Sequence, residues 1–106
     1  MTGKETRPHE ITLTGLLICT NETEAHTVRE HLPLHVELTR AEKGCISFTV
    51  NPTSDPLVWE VKERFIDETA FQHHQHRTSL SVWAAATKNI TREYNIHSGA
   101  KTSSTT

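Results

Sequence analysis

At 106 residues the chain has room for one domain. A formal charge of −2 at pH 7 gives no broad positive field, which argues against nucleic acid as the main partner. With 34% hydrophobic residues it is lean in core formers, and a domain this small buries only roughly 65% of the surface its unfolded chain exposes, so a partner surface would help it.

No apolar run approaches the ~18 residues that cross a bilayer. The opening MTGKETRPHE lacks the apolar stretch of a secretory signal, so a cytoplasmic location is expected, with no membrane partner.

Residues 1–8 are polar and predict a flexible arm; the domain is expected over residues 9–97, with a disordered small-residue tail over 98–106. The first predicted strand, His9 to Thr20, carries Ile11, Leu13, Leu17 and Cys19 on one face and Leu16 and Ile18 on the other. Apolar side chains on both faces predict a central strand covered on both sides. Asn21 followed by Glu24 reads as a helix start, and Ala25, Val28, Leu32 and Val36 follow at helical spacings. Pro33 should kink or interrupt that helix, and Gly44 ends the region.

Cys45 to Asn51 alternates as a strand, Pro52 to Pro56 is a turn by composition, and Leu57 to Ile66 forms the hairpin's second strand. On that strand Leu57, Trp59, Val61, Glu63 and Phe65 share one face. Asp67 caps a second helix through Phe71 and His74. A further helical stretch with Val82, Trp83 and Ala86 leads to a last strand, Ile90 to His97. The order β-α-β-β-α-β predicts an α+β, ferredoxin-like antiparallel sheet with helices on one face, the first and third strands lying in the middle. The other face should then meet a ligand or a second sheet. Cys19 and Cys45 would sit on non-adjacent strands, reduced, buried and inert.

Two stretches carry a resemblance. TRAEKGCISF (Thr39 to Phe48) and ERFIDETAFQHH (Glu63 to His74) resemble the antibiotic-biosynthesis-monooxygenase family, with Glu42, Gly44, Glu63, Phe71 and His74 on the family's pattern. The resemblance implies a homodimeric or larger assembly in which two sheets form a dimeric α/β barrel. It also implies oxygenation of phenolic or quinol-type substrates by O₂ with neither metal nor flavin, although other members of the family degrade haem.

Such chemistry needs a base, donors for an oxyanion and aromatic walls. His74 is the candidate base, since its ordinary pKa suits the task and it shares the inward side of Phe71; a backbone-bonded, structural histidine is the alternative. Glu63, among apolar neighbours, would orient His74, pair with an arginine such as Arg92, or form a buried ion pair within the sheet. Trp59, Trp83 and Phe71 are candidate walls for an aromatic substrate, or else core. His35 is placed at the pocket entrance. Arg40 and Glu42 are assigned to capping and charge pairing. His73 and His76 share a helix face, but a zinc site wants three or four converging ligands, so no metal is expected. The resulting expectation is a cofactor-independent monooxygenase acting on a small aromatic substrate. A dimer of the same fold that binds a small hydrophobic molecule without turnover and a haem-binding relative stand as alternatives.

Overall fold

The computed structural model describes residues 9–99. The arm expected over 1–8 and the tail from residue 100 onward lie outside the described residues. The chain orders itself in the sequence β1 (Ile11–Ile18), α1 (Glu22–Arg40), β2 (Cys45–Pro52), β3 (Val58–Phe65), α2 (Glu68–Ser79), α3 (Val82–Thr87) and β4 (Thr91–Ser98). Strand β4 thus continues one residue past the expected end of the domain, and the Gly99 N–H donates to the Glu10 carbonyl at 2.8 Å.

The four strands form one antiparallel sheet in the order β2-β3-β1-β4, the ferredoxin-like α+β arrangement the element order predicted. Register fixes which side chains share a face, because the side-chain period of a strand is two. Leu17 stands opposite Trp59 and Arg92, Gly15 opposite Val61 and Tyr94, and Leu13 opposite Glu63 and Ile96. The helices cover this face, and Leu13, Leu17, Phe48, Val61 and Phe65 are buried beneath them.

Helix α1 begins where Asn21 accepts a hydrogen bond from the Glu24 N–H at 2.9 Å. It then runs unbroken through Pro33, contrary to the expected interruption. Pro33 sits on the exposed side, where water can take up the carbonyl that proline leaves without a donor. The inward stripe of α1 also differs from expectation: it continues from Ala25 and Val28 to His35 and Thr39, with Val36 only half-buried.

Two glycines are required by close approach. A Cβ on Gly44 would come within 2.2 Å of the Ala70 Cβ, so Gly44 lets α2 lie against the link between α1 and β2. A Cβ on Gly15 would stand 2.2 Å from the Glu93 carbonyl oxygen and 2.8 Å from Tyr94 Cδ1, so the Tyr94 ring occupies the space a side chain would fill.

The second face of the sheet is less apolar than β1 alone predicts. Beside Leu16, Ile18 and Val58 that face carries Thr12 and Thr14 of β1, Glu60, Lys62 and Arg64 of β3, and Thr91, Glu93 and Asn95 of β4. Of the strongly exposed apolar side chains, Leu34, Leu38, Leu80 and Val82 belong to the helix layer and Ile96 to β4. Cys19 is buried and Cys45 half-buried, both are free, and burial raises both thiols above their ordinary pKa. Among the described residues no helix is long and apolar enough to cross a membrane.

Candidate active site

Strand alternation puts Glu63 between Val61 and Phe65 on the helix-covered face, opposite Leu13 on β1 and Phe48 on β2. Only 6% of Glu63 is exposed. A carboxylate in such company resists ionisation. Burial, with the charge of Glu42 adding to it, pushes the Glu63 carboxyl up to about 7.

Facing it is His74, which α2 delivers from one turn beyond Phe71. Asp67 starts that helix by accepting from the Ala70 N–H at 2.8 Å. The His74 Nδ1 lies 3.0 Å from Glu42 Oε1, and its Nε2 lies 3.8 Å from Glu63 Oε1. An ionised carboxylate only accepts, so the contact with Glu42 assigns the proton to Nδ1 and leaves a lone pair on Nε2. The Arg77 Nε donates to the other oxygen of Glu42, and its Nη2 donates to Thr39 Oγ1 at 3.0 Å. Burial lowers the His74 pKa, the neighbouring Glu42 raises it in part, and the net direction is down. At neutral pH the site therefore holds a neutral imidazole beside a carboxyl poised between its two forms.

His74 and Glu63 border a half-open cavity of about 430 Å³ between sheet and helices, a volume in the range of small-ligand sites. Leu13, Leu17 and Val61 form its apolar floor, and Gln75 and Thr78 descend from α2. His35 and Trp83 make one wall, stacked with ring centroids 4.7 Å apart and planes within 5°. Phe48 meets the edge of His35 at 5.3 Å. At the far end stand Lys88, Arg92 and Tyr94. Arg92 is held there by the carbonyls of Thr87 and Ile90, at 2.7 and 3.0 Å, so its charge is fixed at the cavity rim. Burial keeps the Tyr94 phenol above its ordinary pKa, hence protonated.

Among the described residues, three buried side-chain polar atoms have no hydrogen-bond partner: His35 Nδ1, Glu63 Oε1 and Thr78 Oγ1. All three belong to residues lining this one cavity. Buried polar groups are nearly always satisfied, and one left alone costs about 1–3 kcal/mol. Such atoms gathered around one space mark where an occupant with polar atoms belongs.

Four of the residues singled out in the sequence meet here: His74, Glu63, Trp83 and His35. His35 lies deeper than expected, buried in the wall instead of at an entrance. Trp59 and Phe71 do not border the cavity; both pack in the hydrophobic core. Glu63 does not pair with Arg92, whose donors turn to the link between α3 and β4. Glu42, assigned to charge pairing, does pair with Arg77, but its second partner is His74. Thr78, Lys88 and Tyr94 were not anticipated. Helical spacing held the signal for Thr78, four residues beyond His74, and strand alternation held it for Tyr94, two beyond Arg92.

The antibiotic biosynthesis monooxygenase family matches residues 18–86, more than half of the chain. The chain belongs to this family. The matched segment contains all five residues on which the resemblance rested and ends before Lys88, Arg92 and Tyr94, so the far end of the cavity lies outside it. No curated protein matches the sequence.

Solved structures agree on the fold of this monooxygenase-family chain. A candidate antibiotic biosynthesis monooxygenase from Nitrosomonas europaea superposes with a TM-score of 0.75 at 13% identity, covering 88% of this chain and 92% of that one. A second candidate from Deinococcus radiodurans gives 0.71 at 23% identity over 82% and 89%. SnoaB from Streptomyces nogalater, a cofactor-independent oxygenase, gives 0.68 at 15% identity over 85% and 92%. At these identities the likeness is one of fold.

Proposed function

We propose that the protein is a cofactor-independent monooxygenase that oxidises a small quinol- or phenol-type aromatic with O₂ in the cavity beside His74. The carrying observation is the arrangement Glu42–His74–Glu63 at the edge of a cavity whose lining leaves three buried polar atoms unsatisfied. The His74 Nε2 takes the phenolic proton, Glu42 holds the imidazole in the required tautomer, and ionised Glu63 balances the imidazolium that results. Arg92 and Lys88, which also line the cavity, supply positive charge that favours the phenolate formed beside His74. The electron-rich phenolate then reacts with O₂. One oxygen atom replaces a ring hydrogen, ending as a quinone carbonyl when the substrate is a phenol and as the hydroxyl of a hydroxyquinone when it is a quinol; the other leaves as water, and the substrate supplies all four electrons. Trp83 and Phe48 give the ring apolar faces.

The test follows oxygen uptake by the purified protein with a panel of hydroquinones and naphthols, for wild type and for His74→Ala. A fall in kcat of about 10²–10⁴-fold is expected. Equal rates in both proteins would remove His74 from the reaction.

The assembly we propose is a homodimer acting in the cytoplasm and joined through the second face of the sheet. Leu16, Ile18 and Val58 would form the apolar part of the interface, with Glu60 directly beside Leu16 and Lys62 and Arg64 farther along β3. Sedimentation should find pairs of 12.0 kDa chains, which Leu16→Lys with Val58→Lys should separate. A wild-type chain sedimenting alone at micromolar concentration would rule the dimer out.

A further inference from the structure

We infer that His35 and Thr78 form an uncharged second subsite for a distal oxygen of the substrate, so that the preferred ring carries two oxygens instead of one. This rests on the cavity being the substrate site, as proposed above, and deepens it by naming the substrate class.

Two of the three unpartnered buried atoms, His35 Nδ1 and Thr78 Oγ1, come from the helix layer, one from α1 and one from α2. The third, Glu63 Oε1, lies on the sheet beside His74. Polar demand in the cavity therefore comes from the helix layer as well as from the carboxyl beside His74. The ring centroids of His35 and His74 are 6.1 Å apart, too close to admit a ring between them but within reach of the two oxygens of an aromatic ring that lies alongside both and bears them on opposite carbons. His35 cannot readily turn away to find another partner, being stacked on Trp83 and abutted by Phe48, and only 5% of it is exposed.

The two subsites differ in kind. His35 has no carboxylate partner, and burial above all, with the nearby Arg77 and Arg92 opposing a further positive charge, takes it down to about 3. It is a neutral imidazole at any working pH, and Thr78 is never charged. Such a pair does not call for an anion. It suits a neutral hydroxyl or carbonyl, because the threonine hydroxyl can rotate to donate or accept and imidazole offers a lone pair or an N–H according to tautomer. The same two groups can then hold the distal oxygen as the hydroxyl of a quinol and as the carbonyl of its oxidised product. A ring lacking that oxygen leaves both groups unpaired, and sites built around a substrate hydroxyl reject analogues without one.

The test is equilibrium binding without oxygen, read by quenching of tryptophan emission, using 1,4-dihydroxynaphthalene, its monomethyl ether and 1-naphthol. Wild type should prefer the dihydroxy ring over 1-naphthol by about 10–10²-fold, with the ether between them. Thr78→Val, nearly isosteric, should lower that preference toward unity while leaving 1-naphthol affinity within about twofold; His35→Phe should do the same if it folds. Equal affinities in wild type, or variants that weaken both ligands alike, would overturn the subsite. Aerobic turnover is scored separately. A retained preference with no oxygen uptake would count against the oxygenase and for the subsite, whereas uptake with no preference would do the reverse.

Discussion

Two buried imidazoles border the same cavity and are treated in opposite ways. His74 has a carboxylate on one nitrogen and a second carboxyl 3.8 Å from the other; His35 has no such acid partner and is stacked on Trp83 and abutted by Phe48. Burial drives both toward the neutral form, and only His74 is pulled back by a neighbouring charge. The contrast shows how one fold makes a proton acceptor and a neutral hydrogen-bonding group from the same side chain. The difference lies in what stands behind each ring, not in how deeply it is buried.

That contrast is most sharply broken at Glu42. In Glu42→Gln the amide can donate to Nδ1, moving the ring proton to Nε2 and disarming the base. We expect kcat to fall by about 10²-fold, with KM changed far less and partial recovery in Glu42→Asp. Steady-state rates for the three proteins decide it. A glutamine variant with wild-type kcat would mean that Glu42 serves only Arg77 and the packing of α2.

A smaller effect separates the two ends of the cavity by pH. His35 has a folded pKa near 3 against 6.5 unfolded, so the unfolded chain binds the extra proton between those values. Its contribution is complete above pH 6.5 and is lost as pH falls toward 3, at about 1.4 kcal/mol per pH unit within the window. Glu63 has the opposite sign. Its folded pKa of about 7 lies above the 4.5 of the free carboxyl, so its contribution is complete below 4.5 and is lost as pH rises to about 7. Between 4.5 and 6.5 the two oppose each other. Urea unfolding across pH 3.5–8 should therefore show His35→Phe losing less stability than wild type on the acid side. Glu63→Gln should gain about 1–3 kcal/mol over wild type above pH 7, at the expense of activity. Parallel pH curves for all three proteins would mean that neither group pays for its burial.

The frame of the fold was legible because it depends on periodicity and caps. Asn21 and Asp67 begin helices as side-chain acceptors do, and the alternation of β3 correctly set Glu63 on the covered face. Pro33 misled because the cost of a proline depends on whether its orphaned carbonyl can reach water, which requires knowing which side of α1 is exposed. The second sheet face misled because β1 was read without its neighbours, and only register brings Lys62, Glu60 and Glu93 alongside Leu16. At the site, His74 could be found from its spacing to Phe71. The Glu42–His74 contact spans 32 residues and two elements, with no local pattern to announce it. Trp59 and Phe71 were natural choices for cavity walls by type, yet aromatic rings fill cores as readily as pockets, and here both do so.

The central claim, that the ligand lies against both His35 and His74, is most directly tested by imidazole proton and nitrogen NMR of the full chain while an oxidised quinone is titrated in. Among the eight histidines, the account predicts that the resonances of His35 and His74, identified by single substitution, move together and saturate at one ligand per chain, while exposed His73 and His76 stay in place. Shifts confined to the exposed histidines, or none at saturating ligand, would contradict it.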